Sequence, residues 1–412
     1  MSRKDSGKQD IMELLGKSKE ELRAFCAALG EPAFRGAQIY HALYSERKFD
    51  VGQITNLPLA LRERLGKEAR VTLPDVKQRF ASTDGSVRYL LGLGDAEKVK
   101  TFNGGFAERT ENTDKNGEEK TRSLQEPAAV EAVFMPSEGR QTICISTQAG
   151  CAVDCHFCLT AQLGLIRNLT AGEILAQVLL PLEEVHRSAQ IEKKDAGLKP
   201  AATISGLAPQ TNIVLMGQGE PLLNFEAVMA AVRIMLDPEG MGISAKHVTL
   251  STSGIVPGIE RLAQEKVRPK LAISLNASND EQRDALMPIN RKYPLAALIN
   301  ACKEYPLRTW EHLTFEYVML GGINDAGEDA RRVVRLLAPL KSVKVNLIPW
   351  NPGELPYRES APERIEEFRR ILVERGLPAF VRYSRGRDVM AACGQLALLQ
   401  IDGAPLSAVS PQ

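Results

Sequence analysis

Gln148-Ala-Gly-Cys-Ala-Val-Asp-Cys-His-Phe-Cys158 places three cysteines, Cys151, Cys155 and Cys158, within eight residues. The Cys-x3-Cys-x2-Cys spacing lets three thiolates converge on one soft metal centre. Four thiolates would close an iron–sulfur cluster; three leave one iron without a protein ligand and open to another molecule. The spacing therefore points to chemistry rather than a structural staple. The rival is a zinc site with His156 as fourth ligand. His156 neighbours Cys155 and would have to fold back onto the same ion, whereas structural zinc motifs bring ligand pairs from separate segments.

The 412 residues suffice for a large catalytic domain and a smaller one. Apolar content of 44% and charged content of 25% are those of an ordinary globular chain. A net charge of +1 means that any nucleic-acid surface must be local. The stretch Met1 to Asp10 lacks the apolar core of a signal peptide, and no run approaches membrane-spanning length. Seven cysteines without a secretion signal predict a reducing cytoplasm.

Upstream of the cysteines the pattern is helical and then extended. Ser18-Lys-Glu-Glu21 is a capping box, followed by Leu22, Phe25, Cys26 and Leu29 at helical spacing and Gly30 as a stop. Further helices are expected near Pro32–Leu43 and Pro58–Leu65. Residues 1–72 thus form a small helical domain, and 73–140 a β-hairpin linker region with the turn at Asp84-Gly85. Residues 103–127 are polar and read as a disordered insertion; a second runs near 186–210. From 141 to 400 strands and amphipathic helices alternate, which predicts an α/β domain with a parallel sheet. Its strands should end at Met216, Ser251, Leu275, Leu320, Ile348 and Tyr383, before a tail at 401–412. Cys26 and Cys302 fall on apolar helix faces and read as packing.

In parallel α/β barrels, function sits at the carboxyl ends of strands. There stands Met216-Gly-Gln-Gly-Glu-Pro-Leu222, where glycines let backbone approach a ligand and Glu220 offers a carboxylate to a cation. Ser251-Thr-Ser-Gly254, Ser274-Leu-Asn276 and Asn346 also follow or end strands, with hydroxyls and amides for a polar ligand. Cys144 lies in the strand entering the cysteine loop. Cys393 follows the basic run Arg382-Tyr-Ser-Arg-Gly-Arg-Asp388, a setting that suits a lowered thiol pKa and nucleophilic work.

Gln148 to Gln162, Met216 to Asn224, Val248 to Gly254, Ile348-Pro-Trp-Asn351 and Arg385-Gly-Arg-Asp-x-x-x-Ala-Cys-Gly-Gln-Leu396 together resemble the radical S-adenosylmethionine (SAM) adenine methyltransferases, specifically the dual-specificity carbon-2 family acting on 23S rRNA and tRNA. The resemblance spans about residues 10–400 apart from the two insertions. It implies a partial (β/α)6 barrel with an RNA-contacting helical domain carrying Lys19, Arg23, Arg35, Arg62 and Arg64. It implies a 4Fe–4S cluster on Cys151, Cys155 and Cys158, and SAM contacts from Gly219, Glu220, Ser251, Ser274, Leu275, Asn276 and Asn346.

It further implies that Cys393 takes a methyl from one SAM. A second SAM, cleaved at the cluster, gives a 5′-deoxyadenosyl radical that activates that methyl for addition to adenine. Cys144 would resolve the protein–RNA adduct by a disulfide with Cys393, and Glu131 would accept a proton. From the residues alone Glu131 is a strand carboxylate expected to be solvated. The expected partners are 23S rRNA, tRNA and an electron donor such as flavodoxin, with a monomeric, cytoplasmic enzyme and no membrane. Asn276 stands where the family pattern has histidine. The competing readings are a carbon-8 adenine methyltransferase conferring antibiotic resistance and a zinc-stabilised RNA-binding protein.

Overall fold

The computed structural model describes residues 11–94, 128–195, 210–353 and 355–396. The insertion expected at 103–127 and the tail at 401–412 lie outside the described residues. At the amino end, strands β1 (Met12–Glu13) and β2 (Ala69–Arg70) pair in parallel and draw together the two ends of a helical segment. Ser18 caps α1 (Lys19–Ala28): its hydroxyl accepts the Glu21 amide at 3.2 Å, and the Ser18 amide donates to Glu21 Oε2 at 2.8 Å. This is the reciprocal capping box read in the sequence. Helix α2 (Phe34–Tyr44) crosses α1 at Gly36, where a Cβ would lie 2.3 Å from the Arg23 amide nitrogen. Helix α3 (Leu59–Glu68) completes the bundle. Tyr40 ties it to the rest of the chain through a 2.9 Å hydrogen bond to Asp237.

Strands β3 (Asp75–Ala81) and β4 (Val87–Gly92) form the antiparallel hairpin around Asp84-Gly85. Strand β5 (Ala129–Ser137) pairs with β4, and β6 (Arg140–Cys144) pairs with β5. Strands β7 (Gln148–Gly150) and β8 (Leu165–Asn168) make a separate antiparallel pair. Then come β9 (Thr211–Leu215), β10 (Val248–Thr252), β11 (Lys270–Ser274), β12 (Leu313–Met319), β13 (Val343–Pro349) and β14 (Ala379–Val381). The main sheet has ten strands in the order β14-β13-β12-β11-β10-β9-β6-β5-β4-β3. It is open, with β14 and β3 as its edges, and parallel from β6 to β14.

Helix α4 (Leu159–Gln162) lies in the loop between β7 and β8, while α5 (Ala171–Asp195), α6 (Phe225–Leu236), α7 (Val256–Ala263), α8 (Asp280–Leu286), α9 (Leu295–Glu304), α10 (Gly327–Leu337) and α11 (Pro362–Glu374) lie in the connections between the parallel strands. Right-handed crossovers of this kind put helices on one face of a parallel sheet. The six strand ends from β9 to β14 fall within two residues of their expected positions. Two expectations change. The hairpin region is not separate from the barrel, because β6 is antiparallel to β5 on one side and parallel to β9 on the other. The insertion expected from residue 186 begins inside α5, which runs to Asp195; residues 196–209 lie outside the described residues. Cys26 and Cys302 are buried in the apolar core. Among the described residues no helix is long and apolar enough to cross a membrane.

Candidate active site

The three-cysteine loop is strung between β7 and β8. Gly150 adopts φ +72 and lies so close to Gly164 that a Cβ would stand 1.8 Å from the Gly164 carbonyl oxygen. The Cys151 amide donates to that oxygen at 2.9 Å, so glycine is required for the loop to close. His156 is turned away from the thiols: its Nδ1 donates to the Ala285 carbonyl at 2.7 Å and its amide to Leu286 at 3.0 Å. It pins the loop to α8, and because the ring does not line the cavity that the three thiols share, the zinc reading lacks its fourth ligand. Gly150→Ala is expected to lose most of the iron taken up in anaerobic reconstitution, measured as iron per chain, with secondary structure retained by circular dichroism.

Cys151, Cys155 and Cys158 line one cavity and are free thiols. Burial raises all three, and the thiol of Cys155 is raised further by the charges of Cys158 and Cys151. Three crowded thiolates favour a cationic group among them. No three His, Cys, Asp or Glu side chains among the described residues are drawn together for a single ion. A cluster does not require that, since its irons are separate points. The donor set fits three cysteine-held irons and an open fourth.

Gly219, Glu220, Ser251, Ser274 and Asn276 line the same cavity. Gly219 sits at φ +95 against Gln148, whose Cβ would be 2.5 Å from an added Cβ. The Glu220 carboxylate accepts from the Ser253 amide at 2.7 Å, the Ser253 hydroxyl at 2.8 Å and the Leu222 amide at 3.0 Å. Burial raises its pKa while these donors pull it down. Asn276 explains its own identity. It holds φ +55, a conformation that asparagine and histidine tolerate better than most residues. Its Oδ1 accepts the Val318 amide at 2.8 Å and its Nδ2 reaches the Met287 sulfur at 3.3 Å.

Leu275 is buried and Asn346 does not line the cavity. Asn346 points across the sheet, donating to Glu316 Oε1 at 2.9 Å and accepting from Arg382 Nε at 3.2 Å. Asn351, five residues on, does line the cavity, and its Nδ2 donates to the Cys393 carbonyl at 3.2 Å.

Cys393 stands in the cavity wall, reachable yet deep. Its thiol is raised to about 11, by burial first and then by the charges of Glu316 and Cys158. This reverses the expectation of an arginine-lowered thiol. Arg385 bonds to Asp84, Arg387 to Glu359 and Arg382 to Asn346, so each guanidinium is engaged elsewhere. Cys144 is buried in an apolar group with Ala391 and Leu396, which flank Cys393, and burial and then the Cys393 charge raise its thiol. The two are free thiols in this structure.

Glu131, expected to be solvated, is 1% exposed and paired with the equally buried Arg88. It does not line the cavity. Burial raises its carboxyl above the usual range, and Arg88 opposes the rise. Gln218 joins it to the tail: its Nε2 lies 3.5 Å from both Glu131 Oε2 and the Leu396 carbonyl.

Sequence reasoning missed four further residues. Gln218 and Glu316 are two. Arg283 is fully buried and donates to the carbonyls of Ser253, Ser274 and Leu275, fixing the ends of β10 and β11. Arg88 is the fourth. The only local signal was Gln218's place between two glycines; the others depend on partners far along the chain. Glu316→Gln keeps an oxygen for Asn346 but removes the charge facing Cys393. The Cys393 thiol pKa is expected to fall, so its alkylation by iodoacetamide at pH 8 should be several-fold faster. Peptide mass spectrometry reads the rate, and an unchanged rate would overturn the assignment.

An open parallel half-barrel, with a three-cysteine loop beside the carboxyl ends of its strands, defines a radical SAM protein. The Radical SAM superfamily model matches residues 145–337, and a model for the ribosomal RNA large subunit methyltransferase N-terminal domain matches residues 12–71. The superfamily's cofactors are SAM and a 4Fe–4S cluster. A probable dual-specificity RNA methyltransferase RlmN of Koribacter versatilis is 45% identical over 89% of this chain and 96% of its own length. The dual-specificity RNA methyltransferase RlmN of Anaeromyxobacter dehalogenans is 41% identical over 94% of this chain and 92% of its own. The crystal structure of a radical SAM methyltransferase from Sphaerobacter thermophilus superposes with a TM-score of 0.75 at 39% identity, covering 93% of this chain and 99% of that one. The chain belongs to the RlmN family of dual-specificity RNA methyltransferases.

Proposed function

We propose that this enzyme methylates carbon 2 of an adenosine in 23S rRNA and of one in tRNA, with Cys393 as methyl carrier. The observation that supports it is one cavity lined by Cys151, Cys155, Cys158, Glu220 and Cys393. Carbon 2 of adenine is electron-poor and does not attack a sulfonium, whereas a thiol does. Cys151, Cys155 and Cys158 would hold the cluster, which when bound supplies reductive cleavage of SAM. Glu220, fixed by Ser253 and Leu222, takes the ammonium group of SAM. Gly219, Ser251, Ser274, Leu275, Asn276 and Asn346 complete the contacts expected on resemblance, and the position of Asn351 favours it over Asn346.

Cys393 gives up its thiol proton and takes a methyl group from one SAM; a second SAM is consumed in each turnover. Glu131, held near the neutral range by burial against Arg88, suits a proton acceptor. The Cys144 thiolate attacks the Cys393 sulfur, the bond from that sulfur to the adduct's methylene carbon breaks, and that carbon keeps the electron pair and takes a proton, leaving a Cys144–Cys393 disulfide and free methylated RNA. Residues 1–72 contact RNA, although Arg35, Arg62 and Arg64 spend part of their donors on carbonyls of their own bundle. The same reading includes an electron donor such as a flavodoxin, a monomer and a cytoplasmic location. The test is the nucleoside mass of 23S rRNA and tRNA from cells lacking the protein. 2-Methyladenosine should disappear from both; its persistence, or loss of 8-methyladenosine instead, would overturn the proposal.

A further inference from the structure

The cavity lies at the carboxyl ends of the parallel strands. The amino ends, on the opposite side of the sheet, carry a second concentration of charge. Lys246 precedes β10, Lys270 opens β11, Lys344 is the second residue of β13, and Arg308 and Trp310 lie in the connection into β12. Trp310 meets two cations, with Lys246 Nζ 5.5 Å and the Arg308 guanidinium 5.3 Å from its ring centre. Lys266 and Arg308 also line a hollow on this side. Arg268 and Arg308 share one buried carboxylate, Glu311, at 3.8 and 3.4 Å. Among the described residues Lys246, Lys266, Lys270 and Lys344 form no ion pair. Burial and then Lys344 lower the Lys270 ammonium, and Glu311, already shared by Arg268 and Arg308, opposes them.

Like charges crowded around one shared carboxylate destabilise a fold, and a polyanion relieves them. The chain's net charge is only +1, so this face is a local excess rather than a share of a basic protein. A half-buried aromatic ring between cations suits a backbone-and-base contact better than an acidic protein surface.

We infer that this amino-end face binds the phosphate backbone of RNA as a second contact, remote from the cavity. The inference rests on the RNA methyltransferase reading above. Strands of five to seven residues rise about 17–23 Å. An RNA whose target base enters the cavity therefore reaches this face by passing around an edge of the sheet.

The test uses Lys246→Ala/Lys266→Ala, both exposed positions, with an unmodified tRNA transcript in filter-retention binding between 50 and 200 mM salt. Each lost phosphate contact removes about 0.7–0.9 from the slope of log K against log salt. The slope of the double variant should be shallower by about 1.5, and affinity at the lower salt weaker by about tenfold. A control of equal charge change on α11, Arg369→Ala/Arg370→Ala, should match the wild type. Trp310→Ala should weaken binding with its slope unchanged, because stacking releases no counter-ions. A wild-type slope in Lys246→Ala/Lys266→Ala, or an equal drop in the control, would overturn the inference. Methylation of the same transcript by the wild type separates the two readings. Methylation with an unchanged slope sinks this inference alone; a changed slope without methylation supports it and sinks the other.

Discussion

Cys393→Ala is expected to lower methyl transfer to RNA by at least about 10³-fold, the scale on which removal of a nucleophile acts. The fold and the cluster site should survive. The contact that holds the Cys393 turn is made by its carbonyl, which accepts from Asn351 Nδ2 at 3.2 Å and remains in the alanine variant. The Gly394 carbonyl likewise still accepts the Leu159 amide at 2.9 Å, so the tail stays docked beside the cluster loop. Iron per chain after reconstitution and reductive SAM cleavage without RNA should therefore match the wild type. The loss should fall on kcat rather than on KM for RNA. Retained methylation would remove Cys393 as carrier, while loss of iron as well would mean that the tail is part of the cluster's support. Cys144→Ala should behave differently: Cys393 would still be methylated, and RNA should accumulate covalently joined to the protein, visible as a slow band in a denaturing gel.

How much of this was legible depended on how far apart the partners stand in the chain. The capping box at Ser18 and the cysteine loop are local, and both were read directly from spacing. The parallel character of the sheet followed from alternation alone. The continuity of the hairpins with the barrel did not, because β6 looks the same in sequence whether its neighbour is antiparallel β5 or parallel β9. Asn346 and Asn351 show the same limit at single-residue scale. The rule that function follows strand ends favours Asn351, just beyond β13, whereas Asn346 is within the strand and pairs across it with Glu316. The histidine-to-asparagine difference at Asn276 lost its significance once its positive φ was seen, since both residues tolerate that backbone. Arg283 was invisible because its acceptors are scattered over three segments and are all backbone carbonyls or amides. Glu131 was misread as solvated because nothing near it in sequence announces Arg88, 43 positions away.

That pair carries the second large effect. Arg88→Met keeps an apolar stem on the ring of Phe80, over which the guanidinium carbon now lies 4.0 Å from the ring centre, but strips Glu131 of its cation. Breaking a buried pair from one side costs about 3–5 kcal/mol when the remaining group stays charged. Glu131 has an alternative, which is to take up a proton. In the wild type burial pushes its carboxyl from 4.5 up to about 7 despite Arg88. A carboxyl raised on folding contributes stability below its unfolded pKa, and that contribution drains away as pH rises through the folded value. In the wild type the loss is therefore complete a little above pH 7. Without Arg88, the one influence that lowers the pKa is gone, so the folded value climbs and the loss continues to higher pH. Urea midpoints of Arg88→Met should lie modestly below wild type at pH 5.5 and fall steadily further behind between pH 7 and 8.5. Arg88→Met/Glu131→Gln removes the titration and should show a constant deficit across the range. If Arg88→Met instead shows the same deficit at pH 5.5 and 8.5, the cost is lost packing on Phe80 and Glu131 is not the buried, proton-competent group that its proposed role at carbon 2 requires.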